Sequence, residues 1–198
     1  MGEKFDAHID KLNRSGLGIT LDKIRVGFKR LTDDAIIPTK AHPTDSGFDL
    51  YASEDVIIEP GETKIIPTGI AAELPAGYEA QVRPRSGVTA KTRLRVQLGT
   101  IDQDYRGEIG VIVDNEYTDK YNELWQAGYY RTSGEMYLNH RVKYPVGTYK
   151  IRKGDRIAQL VIQPLPTVEA YEIEGELDDT ERGAGGFGST GINEKEGD

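Results

Sequence analysis

Short apolar stretches separated by turn residues are the feature that most constrains this chain. The stretches recur at intervals of about ten residues, as in proteins built from many short strands. Among the turn residues are 23 glycines and 9 prolines. In residues 23–31 and 78–83, apolar and polar side chains alternate, which is typical of half-buried strands. Further strands are predicted at 56–59, 64–67, 70–74, 94–98, 109–113, 148–152 and 157–163. We therefore expect an all-β barrel or jelly roll, in which closure limits exposed edges.

Composition narrows the chemistry that such a domain can carry. Lys and Arg number 25 against 33 Asp and Glu, and the net charge of -8 argues against a broad basic face for nucleic acid or anionic membrane. The lack of cysteine excludes disulfides, thiol catalysis and thiolate zinc sites, whereas a hard cation such as Mg2+ stays compatible. No apolar stretch approaches the roughly 20 residues that span a bilayer, and the N-terminus is charged, so we expect a cytoplasmic protein.

Three segments depart from the strand pattern and suggest the domain organisation. Residues 1–22 are polar and are expected to form an N-terminal extension of the β core, 23–166. Residues 114–146 form an insertion rich in tyrosine that holds the only tryptophan. We favour a small subdomain docked on the core over a recognition surface for a protein partner. Residues 167–198 form an acidic linker and a glycine-rich arm, which we expect to be flexible.

The arm contains a candidate phosphate site at 182–191. Its glycines leave backbone N–H groups open to phosphate oxygens, while Ser189 and Thr190 offer hydroxyls and Arg182 a positive charge. Phe187 has the flat aromatic face that stacks on a nucleobase. A disordered glycine linker is the alternative.

A second candidate anion site follows the strand that ends near residue 83. We expect a short helical turn over 88–91 with Ser86 at its N-cap. Free N–H groups and the helix dipole bind anions at such a terminus, and Arg85 adds a formal charge. An ordinary cap beside a solvated arginine is the alternative.

Aspartates in two predicted turns are candidates for catalysis and metal binding. Residues 99–107 are predicted to form a hairpin with Asp102 and Asp104 in its turn. A carboxylate on a rigid hairpin can orient and deprotonate a water molecule, as phosphoanhydride hydrolysis requires. Asp49 lies in a similar turn and is a candidate metal-associated carboxylate. Aspartates also stabilise turns without any further role, which stays open for all three.

Taken in this order, five segments resemble the five motifs of the trimeric dUTP diphosphatases, or dUTPases. These segments are Asp45–Leu50, Pro84–Gly87, Gly99–Gly107, Gly154–Leu160 and Arg182–Gly191. The insertion is similar to that of some phage-encoded members that infect Gram-positive hosts. The resemblance implies a distorted jelly-roll barrel, a homotrimer with sites built from all three subunits, and Mg2+-dependent hydrolysis of dUTP to dUMP and pyrophosphate.

The resemblance also implies a role for individual residues. Asp102 would deprotonate the water that attacks the α-phosphorus, Tyr105 would exclude a ribose 2'-hydroxyl, and Asp49 would meet Mg2+ through its water shell. The phosphates would be held by Arg85, Ser86, Gly87 and Gln159. The uracil edge would be read by the backbone around Thr100, Ile101 and Gly110. The arm would close from another subunit with Arg182, Phe187, Gly188, Ser189 and Thr190.

One departure from the family and two alternative functions complete these expectations. Some members place an asparagine on the hairpin for base contact, whereas this chain has Val96 and then Gln97. Base reading is therefore expected to depend mainly on backbone groups. A dCTP deaminase would need a glutamate acid/base in the base pocket. A regulatory protein would use nucleotide as a switch and bind a partner through the insertion.

A separate expectation concerns the fourth of the five segments. Asp155 and Arg156 follow a predicted turn, and we expect them to pair with each other and to serve a structural role.

Overall fold

The computed structural model describes residues 24–118 and 124–185. Contacts between residues divide the chain into two compact units, 1–166 and 167–198. The expected N-terminal extension, 1–22, lies outside the described residues. Within the described ranges, no helix is long and apolar enough to cross a membrane.

The first unit is almost all β, as predicted, and α1 is its one helix within the described ranges. The elements are β1 (Gly27–Arg30), β2 (Gly47–Tyr51), β3 (Val56–Ile58), β4 (Thr63–Ile66), β5 (Ile70–Glu73), β6 (Tyr78–Pro84), α1 (Ser86–Lys91), β7 (Leu94–Val96), β8 (Gly99–Ile101), β9 (Val111–Asn115), β10 (Trp125–Gln126), β11 (Gly128–Arg131), β12 (Met136–Leu138), β13 (Tyr144–Pro145), β14 (Tyr149–Ile151) and β15 (Arg156–Pro164).

The long strand β15 organises one sheet of the barrel, with the order β2-β15-β6-β8. It pairs antiparallel with β2 on one side and with β6 on the other. The register sets Gln159 opposite both Asp49 and Arg83. Leu50 and Leu160 are fully buried, so this sheet turns an apolar face to the core. Its other face brings together polar residues from three separate sequence segments.

A second sheet has three strands in the order β4-β9-β7. Its strands alternate buried and exposed side chains. Val111 and Val113 on β9 are buried, whereas Ile112 between them is partly exposed. Ile66 on β4 is buried, and its neighbour Ile65 is exposed. This alternation is the period of two that the sequence predicts for a half-buried strand.

The insertion contributes strands that continue a core sheet, with the order β12-β11-β14-β3. β11 pairs parallel with β14 and antiparallel with β12. Tyr129 is buried, and its ring lies 5.2 Å from that of Tyr137 and 6.1 Å from that of Tyr144. In the described part of the insertion, backbone pairing with β14 therefore joins these strands to the barrel, and aromatic packing joins them to one another.

The structure differs from the sequence-based expectations at two places near the site. Residues 47–51 form strand β2, where we expected a turn, because Phe48 and Leu50 occupy alternate positions of a short strand. Ser86 is the first residue of α1 and does not cap it. Arg85 is the N-cap without a side-chain cap bond, since its carbonyl accepts hydrogen bonds from the N–H groups of Val88 and Thr89.

Asn115 joins the start of the insertion to the barrel from a fully buried position. Its side-chain amide donates to the carbonyls of Ile58 and Gly147, both at 3.0 Å. Its side-chain oxygen accepts a hydrogen bond from the backbone N–H of Tyr117 at 3.1 Å. One side chain thus satisfies three backbone groups from separate segments, and its loss leaves buried carbonyls without a partner.

We predict that Asn115→Ala lowers the free energy of unfolding by about 2–4 kcal/mol, because two buried carbonyls lose their donors. Urea denaturation at one fixed protein concentration measures this change. Asn139→Ala is the matched control, since among the described residues the Asn139 side chain makes one local hydrogen bond, accepted from the N–H of Arg141. Equal stability of the two variants would contradict the prediction.

Candidate active site

The turn after β8 forms one wall of a pocket, which we call the hairpin pocket. Five residues singled out by the sequence line it, namely Thr100, Ile101, Asp102, Tyr105 and Gly110. The other lining residues are Ile65, Pro67, Val82, Gln97, Gly99, Glu108 and Ile112. The predicted base, sugar and catalytic residues of the hairpin therefore lie around one cavity.

The hairpin turn holds Tyr105 in a fixed position. Its backbone N–H donates to the carbonyl of Asp102 at 3.1 Å, and its hydroxyl donates to the carbonyl of Glu108 at 2.9 Å. A Cβ on Gly107 would lie 2.4 Å from the Tyr105 hydroxyl oxygen, so a residue without a side chain is required there. The ring therefore stands against a glycine and forms a rigid wall of the pocket.

The Asp102 carboxylate is exposed and makes no hydrogen bond or ion pair with any residue that the structure describes. Its backbone is fixed by the turn, whereas its oxygens keep their lone pairs for a ligand or a water molecule. A carboxylate with these properties can act as a hydrogen-bond acceptor and as a general base.

Glu108 also lines the hairpin pocket, and it bears on the deaminase alternative. Its Oε1 atom accepts a hydrogen bond from the backbone N–H of Gly69 at 2.7 Å. This bond joins the hairpin to the segment before β5. The contact gives the carboxylate a structural role.

A second pocket lies on the polar face of the β2-β15-β6 sheet, and we call it the arginine pocket. Asp49, Arg85, Ser86, Gly87 and Gln159 line it, as the resemblance implies. The remaining lining residues are Ala41, Asp45, Ser46, Gly47, Arg83 and Val161. Pairing of β15 with both neighbours brings these segments together.

Asp49 lies between two arginines in this pocket. Its Oδ1 is 3.0 Å from Nε of Arg85, and its Oδ2 accepts a hydrogen bond from a terminal nitrogen of Arg156 at 3.2 Å. A terminal nitrogen of Arg85 also donates to the carbonyl of Arg156 at 3.2 Å. The Arg85 guanidinium is therefore oriented through two of its nitrogens, and its other terminal nitrogen has no partner among the described residues, so it can donate to an anion.

The expected pair between Asp155 and Arg156 is wrong. Asp155 accepts hydrogen bonds from the backbone N–H of Arg152 at 3.0 Å and the hydroxyl of Thr132 at 3.1 Å. It also pairs with the Arg152 side chain at 3.7 Å. Arg156 begins β15 and extends toward Asp49 on the neighbouring strand. The sequence order of the dipeptide concealed this pairing, which only the strand register reveals.

The other walls of the arginine pocket come from backbone and a glutamine. Gln159 donates from Nε2 to the carbonyl of Pro84 at 3.0 Å. A Cβ on Gly47 would lie 2.8 Å from Oε1 of Gln159, so glycine allows the close approach of β2 and β15. Ser86 and Gly87 open α1, where N–H groups lack partners within the helix.

The arm residues fall into two groups. Arg182 belongs to the second unit, and its Nε donates to the carbonyl of Gly185 at 3.0 Å. The other arm residues expected at the site lie outside the described residues; these are Phe187, Gly188, Ser189 and Thr190.

Sequence reasoning missed several pocket residues for a common reason. Asp45 lines the arginine pocket, Arg156 contacts the Asp49 of that pocket from β15, and Ile65 lines the hairpin pocket from β4. Alternation along β15 gave no signal for Arg156, because Arg156 lies three positions from Gln159 and the bulge between 156 and 158 shifts the register of the strand.

The family profile described as dUTPase matches residues 33–122 and 145–191. This chain belongs to the dUTPase family. The deoxyuridine 5'-triphosphate nucleotidohydrolase of Clostridioides difficile is 44% identical over 166 residues, 83% of this chain and 96% of that relative. As a member, the chain has the all-β jelly-roll fold of the family.

Two solved structures of phage dUTPases extend this likeness to three dimensions. The dUTPase of Staphylococcus bacteriophage 80alpha, a mutant with dUpNHpp, is 36% identical with a TM-score of 0.80, and the match covers 85% of this chain and 99% of that one. The dUTPase of S. aureus phage phi11 is 34% identical with a TM-score of 0.73, with coverages of 78% and 99%. Both phage dUTPases are thus similar to this chain over most of its length and over nearly the whole of their own.

Proposed function

We propose that this dUTPase hydrolyses dUTP to dUMP and pyrophosphate with Asp102 as the general base. The observation that carries the proposal is the unpaired Asp102 carboxylate on the rigid turn beside Tyr105. The C. difficile relative is named for the same hydrolysis, and the phage 80alpha relative holds the nucleotide analogue dUpNHpp. The activity keeps uracil out of DNA and supplies dUMP, and we expect it in the cytoplasm with the nucleotide pool.

In the proposed reaction, Asp102 accepts a hydrogen bond from a water molecule and orients it toward the α-phosphorus. As the water oxygen bonds to phosphorus, its proton passes to the Asp102 carboxylate. The bond from the α-phosphorus to the bridging oxygen then breaks, and pyrophosphate leaves with that oxygen. The second product is dUMP, and Asp102 returns its proton to solvent.

The hairpin pocket would select the nucleoside part of the substrate. Tyr105 lies against Gly107 with its hydroxyl bonded to Glu108, and a ribose 2'-hydroxyl on its face would collide with the ring. The backbone of Thr100, Ile101 and Gly110 lines the same pocket and offers groups for the uracil edge.

The arginine pocket would hold the triphosphate. Arg85 carries the charge, Ser86 and Gly87 offer first-turn N–H groups, and Gln159 lies beside them. The Asp49 carboxylate orients Arg85 through its ion pair at 3.0 Å. Because the chain has a net charge of -8, attraction of a polyanion must come from such local cations.

The residues of the arginine pocket fit a Mg2+ ion that arrives with the nucleotide. Among the described residues, no group of three or more His, Asp or Glu side chains forms a metal cage. Mg2+ in nucleotide enzymes commonly takes phosphate oxygens and waters, with only one or two carboxylates. Asp49 would contact its water shell through the lone pairs that the two arginines leave free. When bound, Mg2+ would neutralise phosphate charge; the phi11 relative coordinates a structural Mg(II) ion.

We further propose that the enzyme is a homotrimer with sites shared between subunits. The hairpin pocket and the arginine pocket share no lining residue within one chain, although one substrate would need both. Leu98 and Ile65 beside the hairpin pocket are 75% and 68% exposed, which favours cover by a neighbouring subunit. Arms from other subunits would supply Arg182 and the residues from Phe187 to Thr190.

The bond made by Glu108 argues against the deaminase alternative. Glu108 is the glutamate in the hairpin pocket, and its carboxylate binds the backbone N–H of Gly69. The acid/base glutamate of a deaminase would need to face the nucleobase, whereas the Glu108 carboxylate is bonded to the backbone.

A second proposed function is binding of a protein partner through the insertion, 114–146. Leu124, Trp125 and Leu138 belong to the insertion and are 56%, 64% and 62% exposed. Trp125 lies on β10 and Leu138 on β12. Phage dUTPases such as that of 80alpha control transfer of virulence genes by a proto-oncogenic G protein-like mechanism. The exposed apolar surface is of the kind that binds a protein.

For the general base, we predict that Asp102→Asn lowers kcat by at least about 100-fold, because the amide cannot accept the proton of water. Pyrophosphate release from dUTP measures the change, and binding of dUpNHpp should stay within about threefold, since shape is retained. Asp104→Asn is the matched control on the same turn. Turnover of the Asp102 variant near that of the parent would exclude the role.

For the shared site, we predict that two inactive variants regain activity when their subunits are mixed. Asp102→Asn removes the hairpin function and Arg85→Ala removes the phosphate function, so a mixed trimer contains sites with neither change. If subunits combine at random from an equal mixture, about a quarter of parental activity returns, because the Asp102 chain and the Arg85 chain of a site are each unchanged at that residue half of the time. Unmixed variants are the control, and no recovery after verified exchange would contradict a shared site.

For the insertion, we predict that Trp125→Ser combined with Leu138→Ser leaves kcat/KM for dUTP within about twofold of the parent, because neither side chain lines a pocket. The same double variant should bind a protein partner of phage dUTPases less tightly by tenfold or more, because loss of a central apolar contact costs about 2 kcal/mol. Titration calorimetry with that partner measures the affinity. Unchanged affinity would place the partner surface elsewhere.

A further inference from the structure

Gln97 lies at the edge of the hairpin pocket, directly after β7. Its backbone N–H donates to the carbonyl of Ile112 at 2.9 Å, which fixes its Cα relative to β9. Its side chain lines the hairpin pocket together with Ile112 and Gly110. Gln97 is therefore a polar side chain held at a cavity whose neighbouring walls are largely apolar.

The amide nitrogen of Gln97 donates to Oδ2 of Asp114 on β9. The other oxygen of Asp114 accepts a hydrogen bond from the hydroxyl of Thr63 at 2.6 Å. The two carboxylate oxygens thus have one donor each, from strands on either side of β9. Asp114 is fixed by Thr63 and in turn fixes Gln97.

The protonation state of the Asp114 carboxylate determines which end of the Gln97 amide points toward it and which end points away. The hydrogen bond from Thr63, followed by that from Gln97, lowers the pKa of Asp114 below its ordinary value. At neutral pH the group is therefore an ionised acceptor, and only the NH2 end of Gln97 can bond to it. The amide oxygen, Oε1, is the free end and has no hydrogen-bond donor among the described residues.

A free acceptor at a base pocket distinguishes pyrimidines by one atom. The Watson–Crick edge of uracil has a single donor, N3–H, between two carbonyl oxygens, whereas cytosine has an unprotonated N3 that is itself an acceptor. An amide oxygen opposite N3 bonds to uracil and faces a lone pair of cytosine. A site that leaves a polar group unpaired rejects the analogue strongly.

We propose that Gln97, oriented by Asp114, accepts the N3–H of uracil and thereby selects dUTP against dCTP. This inference rests on the proposed function and adds a side-chain contact to the base reading that the sequence assigned to the backbone. Asp114 acts as a positioning residue, because it touches Gln97 and not the base. Thymine carries the same N3–H, so Gln97 does not discriminate against dTTP.

The test compares kcat/KM for dUTP, dCTP and dTTP in the parent and in two variants. Gln97→Leu removes the acceptor and should reduce the dUTP to dCTP ratio by about tenfold or more. Asp114→Asn should reduce that ratio as well. The oxygen of the new asparagine amide accepts from Thr63, so its NH2 group faces Gln97, and the Gln97 amide must rotate to accept from it. The rotation turns the NH2 end of Gln97 toward the base. In both variants the dUTP to dTTP ratio should stay within about twofold, since both bases carry N3–H.

The controls separate this inference from a structural effect and from the proposed function. Gln163→Leu makes the same chemical change on β15, outside both pockets, and should leave all ratios unchanged. A parent that does not hydrolyse dUTP overturns the proposed function and this inference with it. An active parent whose Gln97 and Asp114 variants keep the dUTP to dCTP ratio, or lose activity equally on all three nucleotides, overturns this inference alone.

Discussion

The double pairing of β15 is the constraint on which the arginine pocket depends. This strand bonds to β2 along one edge and to β6 along the other, and its buried Ile157, Ala158 and Leu160 contribute to the core. Backbone hydrogen bonds therefore bring the segment of Asp49 next to that of Arg85, although 36 residues separate them in the chain. No side-chain interaction alone could hold two such charged segments in register.

The local balance of charge follows from that register. Asp49 has an arginine on each oxygen, so the carboxylate and two guanidiniums together carry an excess positive charge in a chain that is negative overall. Ion pairs at a partly exposed site contribute little to stability by themselves. Their consequence is positional, because a guanidinium already held through two nitrogens loses less conformational freedom when its third nitrogen binds an anion.

The sequence predicted the strands that alternate cleanly and failed where another signal overlaid the alternation. The sequence predicts β6 and β15 almost in full, whereas it predicts a turn at β2 because Asp45, Ser46 and Gly47 at its start are typical turn residues. The site residues came from motif order and not from periodicity, so their grouping into two pockets could not be foreseen. The partner of Arg156 and the bond from Gln97 to Asp114 depend on strand register, which local sequence does not encode.

Three carboxylates of this chain illustrate how surroundings assign different tasks to one functional group. Asp114 accepts a hydrogen bond at each oxygen, and Asp49 has an arginine against each oxygen, so each carboxylate fixes the direction of a neighbouring group, Gln97 or Arg85. Asp102 lies on a turn whose backbone is bonded while its side chain has no partner among the described residues. A base must keep a lone pair for water, so a neighbour that stabilised Asp102 through its oxygens would also compete with the water it has to bind. The rigidity of this group therefore has to come from the backbone of the hairpin, which is what the Tyr105 and Gly107 contacts provide.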